Sequence, residues 1–177
     1  MFERLRLPSA SEILAHLDRR ASVRAFLNRG SMESVLDEVF SDLRLHQGAK
    51  LLRSKHSPSL YRFLVTGRFA LDLWIDEREH TMGGMIVLLE GLPAVDVNQP
   101  CCSLHGVLAL RNGELGWLTP GREVRGSIRD LFQSVHDTLA RQVPELFQDN
   151  DRDLRALVLA AGNGEVTDEF ANCLFEG

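Results

Sequence analysis

Lysine, tyrosine and cysteine are scarce in this chain of 177 residues, and long apolar runs are missing altogether. Lysine occurs only at Lys50 and Lys55, so nearly all the positive charge is arginine, and the formal net charge is −5. A protein that neutralises phosphates needs clustered Lys and Arg, so a nucleic-acid partner is not expected. The three cysteines are odd in number and Cys101 and Cys102 are adjacent. That pattern speaks against a disulfide scaffold and for a reduced compartment. No apolar run approaches the roughly 20 residues that cross a bilayer. The stretch Met1-Phe2-Glu3-Arg4-Leu5-Arg6 lacks the apolar segment of a secretory signal. The expectation is a cytoplasmic protein that does not engage a membrane. There is no phosphate-binding P-loop, no dinucleotide fingerprint and no G-x-S-x-G elbow, and no cofactor is expected.

What is present reads as one domain over 1–177, with hydrophobic residues at 44% and charged residues at 25%, an ordinary globular balance. Ser9 with Glu12 is a capping-box signature, and a helix is expected to about residue 28. A second helix from Ser31 carries Met32, Val35, Leu36, Val39, Phe40 and Leu43 on one stripe and ends near Gly48. These two form a helical pair over 1–48. A sheet is expected over 49–118. Its first strand runs from Ala49 to Lys55, followed by a meander of Tyr61–Val65, Phe69–Ile75 and Met85–Leu89. Gly67 and Arg68 suit a two-residue hairpin turn, and Gly83-Gly84 reads as part of the next turn. Residues 91–103, with Pro93 and Pro100, read as irregular, and Leu104–Leu110 as a further strand. Asn112-Gly113 is a hairpin signal leading into Glu114–Leu118.

Over 119–177 helices return. Thr119-Pro120 fits a helix start, and Ile128, Leu131, Phe132, Val135 and Leu139 make its apolar stripe. Pro144 stops it. Asp149, Asn150 or Asp151 caps a shorter helix that ends at Gly162-Asn163-Gly164, and Thr167 caps a last turn. Segregated helices around a meander predict an α+β fold: an antiparallel sheet of five or six strands, with two N-terminal and two or three C-terminal helices packed on it.

Strand alternation sets Phe69, Leu71, Leu73 and Ile75 on one face and Ala70, Asp72 and Trp74 on the other. Arg62 and Leu64 of the preceding strand fall on the Trp74 face. A tryptophan there either packs internally under the N-terminal helix pair or, with Arg62 and Leu64, forms a partner-binding patch, since aromatic and Arg anchors carry much interface energy.

The other candidate site is the cluster Cys101, Cys102 and His105. Thiolate and imidazole are zinc ligands and also the parts of an activated nucleophile. For zinc the spacing is poor, and His80 and Cys173 would have to complete the set. For catalysis, a strand reading puts Cys102 and His105 on opposite faces and Cys101 four residues from His105. Buried apolar cysteines are the plainer reading. Gly83-Gly84 after His80 lacks the helix N-terminus that makes a phosphate nest effective.

Two family resemblances complete the sequence reading. Asn112-Gly113-Glu114-Leu115, then Trp117-Leu118-Thr119-Pro120 and a long helix, resembles the active-site region of ubiquitin-conjugating (E2-like) folds. The expected catalytic cysteine corresponds to Gly116, so the resemblance implies a binding-only variant. The acidic charge and helix-then-meander order are similar to type III secretion chaperones, although that family has a helix where this chain has Pro93 and Pro100. The leading expectation is a non-catalytic cytoplasmic interaction module: an adaptor, chaperone or complex subunit whose partner is another protein or a second copy. The alternative is a small enzyme built on Cys101, Cys102 and His105, with or without zinc.

Overall fold

The computed structural model describes residues 31–57, 59–76, 81–89, 99–111, 128–162, 164–166 and 175–176. The expected helix before Ser31 lies outside these residues. So do the Asn112-Gly113 hairpin with the strand after it, the Thr119-Pro120 helix start and the Thr167 turn.

The chain enters through α1 (Ser31–Val39) and α2 (Ser41–Gln47), two short helices where the periodicity predicts one. They are nearly continuous: Phe40 N–H donates to Leu36 and Arg44 N–H to the Phe40 carbonyl, at 2.9 and 3.1 Å. Gly48 closes α2 in the left-handed conformation, φ +66°, which glycine adopts without steric cost.

A five-strand antiparallel meander follows: β1 (Lys50–Ser54), β2 (Leu60–Val65), β3 (Phe69–Asp76), β4 (Thr81–Leu88) and β5 (Gln99–Ser103). Two short strands, β6 (Gly164–Val166) and β7 (Phe175–Glu176), extend the sheet at its edges, giving the order β6-β5-β4-β3-β2-β1-β7. The turn between β2 and β3 has three residues, because Val65 pairs with Phe69. Gly67 takes φ +77° there and Arg68 N–H donates to Val65 at 3.0 Å. The sequence reading, which centred a two-residue turn on Gly67 and Arg68, is one residue short.

Three further expectations are corrected. Gly83 and Gly84 do not turn the chain but lie inside β4, opposite Trp74 and Leu73. Part of the stretch expected to be irregular is β5. β5 pairs with β4 through Cys101, Cys102 and Ser103; Pro100 lies beyond that ladder and has a strand neighbour on one side only, Glu165 of β6. Leu104–Leu110 is a helix, α3, instead of a strand. The Ser103 hydroxyl accepts the Gly106 N–H at 3.0 Å, a side-chain N-cap. Leu104, Val107 and Leu108 then turn a helical stripe into the core.

The chain continues through α4 (Ile128–Gln142), a 3₁₀ turn at Pro144–Leu146 and α5 (Asp151–Ala161), whose N-cap is Asn150. Leu131, Phe132, Val135 and Leu139 of α4 and Leu154, Leu157 and Val158 of α5 join one core with Phe63, Phe69, Leu71, Leu73, Ile75 and Ile86 of the sheet. Phe40 meets Phe63 with ring centroids 4.9 Å apart. His136 stands edge-on between Phe40 and Phe147 and reaches Asp42 of α2 at 2.9 Å.

One side chain ties distant parts together. Arg68, at the tip of the β2–β3 hairpin, lies over the Phe69 ring and donates from Nε to Asp151 at 2.7 Å, from Nη2 to the Gln148 carbonyl at 3.3 Å, and from Nη1 to Gln47. Gln47 in turn donates to the Phe147 carbonyl at 2.9 Å. The hairpin tip is thus fastened to the end of α2 and the start of α5.

Candidate functional site

The register arranges the Trp74 face in rows across the strands. Lys50, Leu64, Ala70, Val87 and Cys101 form one row; Leu52, Arg62, Asp72, Met85 and Ser103 the next; Leu60, Trp74 and Gly83 the third. Ala70, Val87, Leu89 and Cys101 make a small apolar cluster with Leu64 and Met85 packed against it. Among the described residues this cluster contains no helical side chain, whereas every described helix contributes to the core on the opposite face. The described helices therefore do not cover Trp74.

Between the two apolar rows lies a buried ion pair. Arg62 and Asp72 are each 2% exposed, and the guanidinium grips the carboxylate in a fork, Nε to Oδ1 and Nη2 to Oδ2, both at 2.7 Å. This bidentate form is the strong one. Burial pushes the Asp72 carboxyl above its ordinary value, against the hydrogen bonds and charge of Arg62, which draw it down. Of the three residues marked by sequence, Leu64 and Trp74 are half-buried and Arg62 is buried against Asp72. All three share a face, but Leu64 and Trp74 stand about four strand residues apart, about 14 Å, with the ion pair between them. Asp72 is the member that sequence reasoning passed over. The two-residue turn expected at Gly67 and Arg68 would set Arg62 opposite Leu73; the three-residue turn centred on Gly67 sets it opposite Asp72.

Trp74 owes its place to Gly83. A Cβ on Gly83 would run into Cε2, Nε1 and Cζ2 of the indole, so the ring lies against bare backbone of the neighbouring strand. Gly84 does the same on the other face for Leu104 of α3. The glycine pair is thus a pair of slots, one per face.

The second candidate cluster is dispersed. Cys101 and Cys102 are buried cysteines on β5. Cys102 faces the main core opposite Ile86, while Cys101 joins the Trp74-face cluster. His105 is exposed in the first turn of α3. Burial, reinforced by neighbouring Cys101 and only partly offset by a backbone hydrogen bond from Ile86, pushes the Cys102 thiol up to about 12. A thiol so raised is protonated at neutral pH, and the thiolate is the nucleophile and the metal ligand. Among the described residues no group of three or more His, Cys, Asp or Glu side chains is placed to hold a metal ion; His80 and Cys173 lie outside them.

Comparison of the chain with protein-family models, curated proteins and solved structures gives no match. The residues behind the E2-like resemblance, Asn112 to Pro120, lie outside the described set.

Proposed function

We propose that this chain is a non-catalytic protein-interaction module, an adaptor, chaperone or complex subunit, that recognises another protein through the sheet face bearing Trp74 and Leu64. The observation that supports the reading is that Trp74 and Leu64 stay only half-buried on the face where no described helix packs, although Ala70, Val87, Arg62 and Asp72 between and beside them are buried. Arg62 contributes by holding the two apolar rows in fixed register through Asp72, not as a free charge. With its charge matched, the patch suits an apolar partner surface. Cysteines buried as apolar side chains fit a cytoplasmic setting, and no helix of the described residues is long and apolar enough to cross a membrane.

The test is Trp74→Ala, with thermal unfolding of the isolated chain measured beside partner capture from the native host. An interface tryptophan leaves the melting curve nearly unchanged and weakens capture at least tenfold, the scale of a hot-spot residue. An internal tryptophan costs about 3–5 kcal/mol of stability. A variant that is both fully stable and fully competent ends the patch reading.

A further inference from the structure

The only two lysines of the chain stand at the two ends of one strand. Lys50 opens β1 and Lys55 follows its last residue, with Arg53 between them. All three are exposed, in a chain whose formal net charge is −5. Arg44, Arg62, Arg68, Arg111 and Arg129 each meet a carboxylate. Among the described residues Lys50, Arg53 and Lys55 meet none.

The backbone beside these cations is open as well. β1 pairs with β2 along Lys50–Arg53, but on its outer side only Arg53 and Ser54 have a strand partner, β7. Among the described residues Lys50, Leu51 and Leu52 therefore pair on their β2 side alone, and Leu51 and Leu52 are half-buried. An edge of this kind is a template for another strand. β7 shows the form an added strand takes here: it runs antiparallel and sets an acidic residue, Glu176, opposite Arg53. Opposite charges facing each other across two strands stabilise the pairing, and like charges weaken it. A second copy of β1 would bring three more cations to the same edge, so the charge disfavours self-pairing and favours an acidic strand.

We propose that the outer edge of β1 docks an extended acidic segment of a partner protein, added as an antiparallel strand along Lys50–Ser54. The occupant takes the place of β7 and exchanges its two residue pairs for pairing along all five residues of β1. Carboxylates opposite Lys50 and Arg53 and beside Lys55 supply the charge match. Apolar residues opposite Leu51 and Leu52 cover the surface those side chains leave exposed. Lys50 lies on the Trp74 face and Arg53 on the other, so the acids of the new strand fall on both its faces. Backbone pairing holds the segment and the side chains select it, the β-augmentation mode. The surface is an edge, distinct from the Trp74 patch, so either can fail without the other.

The probe is a synthetic peptide with the central sequence Glu-Thr-Glu-Val-Val-Glu, the antiparallel complement of Lys50 to Lys55, titrated into the full chain. Amide exchange locates it. Saturable binding is expected, with new protection of the Lys50, Leu51 and Leu52 amides. Lys50→Glu with Lys55→Glu weakens binding about tenfold, the scale of two exposed charge pairs reversed. A peptide with proline in place of the first valine keeps every charge but loses a ladder hydrogen bond, and binds about tenfold more weakly. Absence of binding, equal binding of the two peptides, or protection confined to other strands overturns the proposal. So does protection of the same amides that rises with the concentration of the chain alone, which makes the occupant a second copy. If the double variant fails to fold, the proline peptide decides, because it leaves the protein unaltered.

Discussion

Cys102 and Gly83 show how far a single side chain, or its absence, sets local chemistry. The Cys102 thiol is held protonated by burial, so alkylation at pH 8 should spare Cys102 in the folded chain and label it in denaturant, as read by peptide mass mapping. Rapid labelling of Cys102 in the native state would revive the nucleophile reading. Gly83→Ala is expected to destabilise, against the usual sign. Replacing glycine by alanine commonly stabilises by about 0.4–1 kcal/mol through the unfolded chain, but here the new methyl group meets the indole. Overpacking of this kind costs about 1–3 kcal/mol, so a lowered melting temperature and an altered near-ultraviolet signal from Trp74 should appear together. That Cys101 and Cys102 pack as small apolar residues was legible from their spacing alone. The role of Gly83 was not, because glycine marks turns and cross-strand slots with the same letter, and only the register with Trp74 separates the two.

Among the elements, the β2–β3 hairpin holds a buried charge pair on the Trp74 face, and its energetics have a definite sign. Removing one partner leaves the other charge buried, so Asp72→Asn should cost about 3–5 kcal/mol in a denaturant melt. Replacing both, Arg62→Met with Asp72→Leu, should be about neutral or stabilising. If the pair matters chiefly for register, the double variant keeps its stability and loses uniqueness, seen as broadened amide resonances in β2 and β3. The meander itself was readable, because alternation over Phe69–Ile75 leaves little choice of face. Leu104–Leu110 was misread since a short apolar run fits a buried strand and a buried helix equally. The deciding residue was Ser103, whose hydroxyl caps the Gly106 amide. The strand at Gln99–Ser103 was hidden by Pro100, which sits past the ladder with β4 and has a strand partner only on the β6 side.

At the scale of the molecule, the sheet has a helix-bearing face and a face without described helices. The first was predictable from the stripes Met32–Leu43 and Leu131–Leu139. The Arg62–Asp72 fork on the second was not drawn out, because sequence periodicity assigns residues to faces but does not say which charges meet. Nor did periodicity foretell Arg68, whose partners Gln47, Gln148 and Asp151 lie far from it in sequence. Those contacts determine which parts of the protein come apart together. Amide exchange in a folded protein proceeds through partial openings that release whole cooperative units. A hairpin tip bonded to the start of α5 and the end of α2 makes one unit of three segments that would otherwise fray independently. In Arg68→Ala the amides of α5 should exchange through an opening well below the global unfolding free energy, while those of β3 and β4 keep their protection. In the unaltered chain α5 and the hairpin should lose protection together, so that one arginine sets the order in which the structure opens.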